Sequence, residues 1–305
     1  MKHLFVINPI AGGKKNNPQE TKKSIEAIAD EMGIDYEIYT TTRPLDATEK
    51  VSKEADKQEQ LRVYACGGDG TLNECCNGAA GRENTSVTHF PTGTGNDFIK
   101  TFGKENVDKF RDLRELIGGQ SRKLDLIDCG EGRYGINICS VGIDARIGRD
   151  VHKYSKLPII GGATGYIVAL ISNVLAGVAQ KFHVTGCGVD RNERITLMCA
   201  CNGRYYGGGF NPVPDAMPDD GILEILIINA VSRLKVAAVV GKYAKGRFRE
   251  IGDLVTHLRG DYVEVQADKE FVVQIDGEIV HRKKLSFKII PKGINFVFPV
   301  GLNFG

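Results

Sequence analysis

Residues 61–78 read LRVYACGGDGTLNECCNG. The apolar run from Leu61 to Cys66 stops at Gly67-Gly68-Asp69-Gly70. Thr71 then opens an apolar pattern at helical spacing through Leu72, Cys75, Cys76 and Ala79. This order predicts strand, tight turn, helix. Glycine lets the backbone take positive φ and approach a ligand closely. The free N–H groups at a helix N-terminus favour an anion, most often a phosphate. Asp69 places a carboxylate among them, and two anions are compatible there when a divalent cation lies between them. The competing reading is a structural strand-to-helix turn that needs glycine and binds nothing.

Moving outward, the segments before and after this stretch repeat its grammar. Residues 3–7 predict a first strand, followed by the turn Asn8-Pro9-Ile10-Ala11-Gly12-Gly13. A helix is expected from about Pro18 to Met32, with Ile25, Ile28, Ala29 and Met32 on one face and Gly33 closing it. Residues 34–40 predict a second strand and 46–57 a helix. Residues 85–90 predict a fourth strand, followed by the turn Pro91-Thr92-Gly93-Thr94-Gly95-Asn96-Asp97-Phe98. Strands alternating with helices imply a parallel sheet covered on both faces. Ligands of such sheets bind at the carboxyl ends of the strands. All three glycine-bearing turns follow strands, so they are expected to converge at one edge.

Near residue 122 the pattern changes. Strand-like runs follow at 123–129, 134–140, 182–189, 194–202, 222–228, 262–267, 270–275, 285–290 and 295–300, separated by turn signals. This predicts an antiparallel β-sandwich domain. Helical segments are expected near 160–180 and 232–257. The domains are accordingly drawn at 1–122 and 123–294. The run at 157–180 carries no charge and is long enough to span a bilayer. Pro158, Gly161, Gly162, Gly165, Ser172 and Asn173 favour a buried or groove-lining helix instead, with a lipid-contacting face as the alternative. Lys242, Lys245 and Arg249 stand at spacings that share one helical face, either solvated or facing anionic lipid headgroups.

Bulk properties limit the function. The 305 residues are 42% hydrophobic and 26% charged, as soluble globular chains are. A net charge of +2 does not suggest a nucleic-acid binder. None of the eight cysteines forms a CxxC, and several lie in apolar runs, which suits buried thiols in a reducing cytoplasm. The apolar run Leu4–Ile7 is too short for a signal peptide. No GxxxxGK[ST], GxSxG or HExxH is present, and the six histidines do not cluster. Late in the chain, Gln274, Asp276 and Glu278 alternate. The two carboxylates share a face if the strand continues, whereas an Asp-Gly hairpin would leave Glu278 incidental.

Taken together, these motifs resemble the diacylglycerol kinase catalytic family, which includes bacterial soluble lipid kinases and the sphingosine kinases. The resemblance rests on Asn8-Pro9 with Gly12-Gly13, on GGDGTLNE at 67–74 and on PTGTGNDF at 91–98. It continues through Gly142-Ile143-Asp144, Pro218-Asp219-Asp220-Gly221 and Asp276-Gly277-Glu278. It implies a three-layer α/β nucleotide-binding domain of the NAD-kinase/phosphofructokinase kind, to which the tail near 295–305 returns, and a β-sandwich lipid domain. It implies transfer of the γ-phosphate of ATP, with Mg2+, to a lipid hydroxyl at a membrane surface, diacylglycerol giving phosphatidic acid first among the acceptors. Asn8, Pro9, Gly12, Gly13, Thr41, Gly67, Gly68, Asp69, Gly70, Thr71, Leu72, Asn73, Thr94 and Asn96 would hold the nucleotide. Asp69 would bind the catalytic magnesium through water, and Glu278 would be the general base. Met217, Asp220 and Ile222 would hold a structural magnesium through two carbonyls and a carboxylate.

Asp97, Asp125 and Asp276 form a second tier. Asp97 is expected to cap a helix N-terminus, and Asp97 and Asp125 alike to join a charge network with Asp69 or to be structural. Lys100 stands where some relatives carry arginine, which removes a bidentate partner. The resemblance implies a cytoplasmic, peripherally membrane-associated enzyme without a transmembrane span and leaves a homodimer open. The rival readings are an NAD kinase-like enzyme acting on a soluble nucleotide and a non-catalytic nucleotide- or lipid-binding protein.

Overall fold

The central strand of the first unit is apolar but for Arg62, whose guanidinium donates to the Leu116 and Ile117 carbonyls, because both its faces are covered. All seven residues of Leu61–Gly67 are buried, as expected of a parallel strand with helices on either side. The computed structural model describes residues 1–13, 17–154, 169 and 172–302. In chain order the elements are β1 (Lys2–Ile7), α1 (Pro18–Glu31), β2 (Tyr36–Thr40), α2 (Asp46–Ala55), β3 (Leu61–Gly67), α3 (Asp69–Ala79) and β4 (Thr85–Pro91). Next come α4 (Leu113–Ile117), β5 (Gln120–Asp128), β6 (Tyr134–Gly135), β7 (Ile138–Gly142), α5 (Ile143–Tyr154), β8 (Gln180–Gly186) and β9 (Val189–Cys201). The chain ends with β10 (Leu223–Asn229), α6 (Val236–Ala244), β11 (Val255–Gly260), β12 (Tyr262–Ile275) and β13 (Glu278–Phe298).

Two compact units result. The first comprises 1–126, 218–220 and 290–305, and the second 127–217 and 221–289. In the first, β2, β1, β3 and β4 lie side by side and parallel, and Asn295–Phe296 of β13 adds to β4, also parallel. Strand order reverses between β1 and β3, which makes their carboxyl ends the topological switch point. The helix α1 starts where its chemistry says it should. Asn17 accepts the Gln19 N–H as N-cap, Pro18 occupies the first turn, and Ile25 and Ala29 face the core.

The second unit is antiparallel. Its strands run in the order β11, β10, β9, β7, β12, β13, with β8 paired to both β9 and β12. Strand residues alternate between two apolar faces. Ile225, Ile227, Ala200 and Val273 pack in one core with Phe182, Phe271 and Phe287. Leu226, Ile228, Cys199 and Cys201 pack in another with Ile143, Ile147, Val236 and Val239 of α5 and α6. The period of two therefore carries apolar residues on both faces, one toward sheet and one toward helix.

Several local expectations are corrected. The segment 232–257 is not one helix: α6 ends at Ala244, Gly246 turns at φ 69, and β11 follows. Lys242, Lys245 and Arg249 consequently share no helical face. Lys242 Nζ donates to the Glu250 carbonyl at 2.8 Å, and Arg249 pairs with Asp215 at 2.8 Å. The runs 262–267 and 270–275 are one strand, as are 285–290 and 295–300. Helix α5 directly follows the Gly142 turn and carries Asp144 in its first turn. Gly130, Gly132 and Gly135 spell GxGxxG, but the first two lie in the β5–β6 turn and the third in β6, with no helix directly behind them, so no dinucleotide fingerprint exists there. Most of the apolar run 157–180 lies outside the described residues. Among those described, no helix is long and apolar enough to cross a membrane. The eight cysteines are unbridged, and seven are buried.

Candidate functional site

The three glycine turns meet at the switch point. Asn8, just beyond β1, donates from Nδ2 to Thr71 Oγ1 in the first turn of α3 at 3.1 Å. The Thr41 N–H, just beyond β2, donates to the Ile7 carbonyl at 2.9 Å. The amides of Thr92 and Gly93, beyond β4, both donate to the Gly67 carbonyl, at 2.9 and 3.0 Å. The contact is so close that a Cβ on Gly93 would lie 2.4 Å from Gly68 Cα, and one on Gly67 would lie 2.2 Å from Thr71 Oγ1. Glycine is required there by space alone.

Asp69 links two of these turns. Its Oδ1 accepts the N–H groups of Asp97 and Phe98, at 2.7 and 3.1 Å. The expected cap at Asp97 is thereby corrected. Asp97 stands at the N-cap position of the 3-10 turn Phe98–Phe102, but its side chain makes no capping bond. It pairs instead with Lys100 Nζ at 2.5 Å, a single contact as a lysine allows. Asp69 supplies the cap from a distance. Burial pushes the Asp69 carboxyl up, Asp97 adds to this, and His89 and the two amides oppose it.

The remaining candidates in the first unit divide by exposure. Pro9, Gly13 and Thr94 are exposed, while Gly12, Thr41, Gly68 and Gly70 are half-buried. Thr71 and Asn73 are buried. The side chain of Leu72 is in the core and its amide donates to the Gly68 carbonyl, within the helix. Asn96 takes φ 49 and ties its own turn by donating to the Gly93 carbonyl at 2.8 Å. Asp125 is fully buried. Its N–H donates to the Pro218 carbonyl and its Oδ1 accepts the Lys292 N–H, both at 2.7 Å.

In the second unit, β12 ends at Ile275 and β13 begins at Glu278, with Ile275 opposite Glu278. Asp276 (φ 47) and Gly277 (φ 97) form the two-residue turn between them. Of the two readings that the sequence leaves open, the Asp-Gly hairpin is the one observed, and the shared strand face falls because the strand does not continue through the pair. Asp276 is almost buried and accepts three amides: Ile136 at 2.6 Å, Asn137 at 3.1 Å and Ile138 at 2.9 Å. Glu278 is half-buried at the strand's start. Met217 is half-buried and its Sδ meets Arg204 Nη2 at 2.7 Å; Asp220 is exposed and Ile222 half-buried. Among the described residues no cluster of His, Cys, Asp and Glu has metal-site geometry.

Motif reading had singled out Asp144 but not its surroundings. Ser140 Oγ donates to its Oδ2 at 2.7 Å and lies 3.1 Å from Gln274 Oε1. Burial pushes the Asp144 carboxyl up, opposed by hydrogen bonds from Ser140 and Tyr206. The hydroxyls of Tyr206 and Tyr243 are 2.8 Å apart, and Tyr243 continues to Cys199 Sγ at 3.5 Å. These side chains come from separate elements, so no short motif announces them.

Comparison with known proteins places these features in context. Residues 2–129 match the family model of the diacylglycerol kinase catalytic domain. Residues 137–298 match that of the YegS C-terminal NAD kinase beta sandwich-like domain. A protein of Shewanella frigidimarina described as a probable lipid kinase, YegS-like, is 26% identical over 97% of this chain and 94% of its own. A solved structure described as a diacylglycerol kinase from Bacillus anthracis shares the fold. Its TM-score is 0.70 at 21% identity, over 99% of this chain and 98% of that one.

Proposed function

The chain belongs to the family that joins a diacylglycerol kinase catalytic domain to a YegS C-terminal NAD kinase beta sandwich-like domain, and from this we propose that it transfers the γ-phosphate of ATP to a lipid hydroxyl, diacylglycerol first. The observation that carries the reading is the meeting of the strand-end turns around Asn8, Gly67–Thr71 and Gly93 at the switch point. Backbone amides and a helix N-terminus gathered there suit a chain of phosphates. Phosphoryl transfer asks mainly for positioning and charge neutralisation, plus a base to take the alcohol proton. Glu278 is assigned that last role.

A magnesium ion held by Asp69 through water belongs to the same proposal. Both amides on Asp69 go to Oδ1, and among the described residues Oδ2 accepts no hydrogen bond. A carboxylate raised by burial, with one oxygen uncommitted, fits a hard cation. Bound there, the ion would neutralise charge on the phosphate oxygens. The structural magnesium on Met217, Asp220 and Ile222 is carried forward on sequence grounds. So are cytoplasmic location, peripheral membrane attachment and a homodimer.

The test is a panel of dispersed lipids, with NAD included as a soluble acceptor, incubated with labelled ATP and magnesium and resolved by product. Phosphatidic acid is the expected product. A phosphorylated NAD would point to the soluble-nucleotide reading, and nucleotide binding with no product to a non-catalytic one. Asp69→Asn and Glu278→Gln are each expected to reduce transfer at least ~1,000-fold with thermal unfolding little changed. Asparagine is chosen because it keeps an acceptor for the Asp97 and Phe98 amides. Turnover near wild type in either variant removes the assigned role.

A further inference from the structure

Of the buried titratable side chains that the reading above leaves unused in the first unit, His89 is the one bonded to a glycine turn. His89 is fully buried on β4, and its Nε2 lies 3.1 Å from the Gly67 carbonyl oxygen. A carbonyl oxygen only accepts, so Nε2 carries the hydrogen and donates. This is the same oxygen that accepts the Thr92 and Gly93 amides. Three donors from β4 and the turn behind it therefore converge on one atom of the β3 turn. The other ring nitrogen, Nδ1, is buried and has no hydrogen-bond partner among the described residues. A buried polar atom left unpaired costs stability. An apolar side chain would avoid that cost, so the histidine is held for what Nε2 does.

We propose that His89 is a positioning residue for the nucleotide phosphates, acting by fixing the Gly67–Gly68 peptide. The inference rests on the kinase reading of this site. In a trans peptide the N–H points opposite to the C=O. Pinning the Gly67 carbonyl sets the direction of the Gly68 N–H, at the N-cap of α3. It also locks the β3 turn, which carries Asp69, to the β4 turn, whose Asp97 and Phe98 amides Asp69 caps. Phosphate binding by backbone amides depends on such fixed directions. Glycine turns are otherwise soft, and the imidazole supplies from the side what the turn lacks. Burial, the largest influence, holds the imidazole below its ordinary 6.5, while Asp69 and the Gly67 carbonyl act the other way. The contact needs a hydrogen on Nε2, whichever charge the ring carries.

The experiment compares His89→Gln with His89→Met. Glutamine Nε2 lies the same number of bonds from Cα as histidine Nε2 and keeps an N–H donor, whereas methionine has similar length and no donor. Affinity for ATP with magnesium is measured by calorimetry, and kcat and KM for ATP with the acceptor found for the wild type. Glutamine is expected to hold ATP affinity within about threefold of wild type. Methionine is expected to weaken it about tenfold or more, with a corresponding rise in KM and a smaller change in kcat. Equal affinities in the two variants, with both folded by circular dichroism, overturn the proposal. Nitrogen-15 spectra of wild-type histidine add a check that needs no variant. The Nε2–H tautomer is expected for His89, and the Nδ1–H tautomer would also overturn it. Failure of the kinase reading itself shows separately, as a wild type that binds no nucleotide.

Discussion

Asp276 and Glu278 stand two positions apart and do different work. Asp276 spends its carboxylate on the amides of Ile136, Asn137 and Ile138, so it organises the turn that presents Glu278. Removing it would leave three buried donors without an acceptor, at about 1–3 kcal/mol each before relaxation. Asp276→Ala is therefore expected to lower Tm by about 6 °C or more in scans followed by circular dichroism. Asp276→Asn, which keeps an acceptor, should lose less. An alanine variant with wild-type Tm would show that the turn does not depend on the carboxylate. The sequence leaves two readings of this pair open, because its alternation runs through Asp-Gly, which is itself a hairpin signal; the folded chain takes the hairpin. Asp97 shows a different limit. Its position predicts a cap, but the cap comes from Asp69, 28 residues earlier, and only the folded chain brings the two together.

Elements were most legible where local chemistry marks their ends. Asn17, Pro18 and the apolar spacing of Ile25 and Ala29 define α1 without help from the rest of the chain. Helix α6 was overextended because its continuation is apolar and charged in a helix-like rhythm, while Gly246 breaks it. Helix α2 carries a pH-sensitive support. Glu54 is buried, and this alone would push its carboxyl up; the ammonium groups of Lys57 and Lys50, at 3.0 and 3.1 Å, win and bring it down to about 2. A carboxyl lowered in the folded state stabilises above its unfolded value of 4.5, and this is lost as pH falls toward about 2. Lys57 is half exposed, so the contribution is discounted for solvent screening to about 1–2 kcal/mol. Glu54→Gln is expected to lower Tm by about 3–6 °C at pH 7. The difference from wild type should shrink as the pH is taken below 4.5. A pH-independent difference would assign the effect to packing instead.

At the scale of the whole chain, the first unit depends on residues far from its start. Phe296 packs against Phe98 at 5.5 Å between ring centroids, and Phe298 against Phe102 at 4.8 Å. The Thr88 hydroxyl donates to the Val297 carbonyl at 2.8 Å, and the Asp125 carboxylate holds the Lys292 amide. A fragment of residues 1–126 lacks all of these partners. It is expected to bind a hydrophobic dye and to show no cooperative unfolding, as an incompletely packed core does. A cooperative transition in that fragment would mean that β1 to β4 with their helices suffice alone. The second unit's buried chain around Ser140, Asp144, Tyr206 and Tyr243 is likewise assembled from distant segments, and sequence spacing gave no sign of it.

What the sequence determined by itself was local: which runs become strands, where glycine must turn the chain, and which turns carry a helix N-terminus. These follow from side-chain periodicity and backbone freedom, which act over a few residues. The tertiary structure alone decided which atoms meet at those turns. Asn8 reaches Thr71, and Thr92, Gly93 and His89 all reach the Gly67 carbonyl. In LRVYACGGDGTLNECCNG the glycines announce a close approach, but not what approaches. That depends on strand order, and strand order is set by packing and pairing between segments that are far apart in the chain.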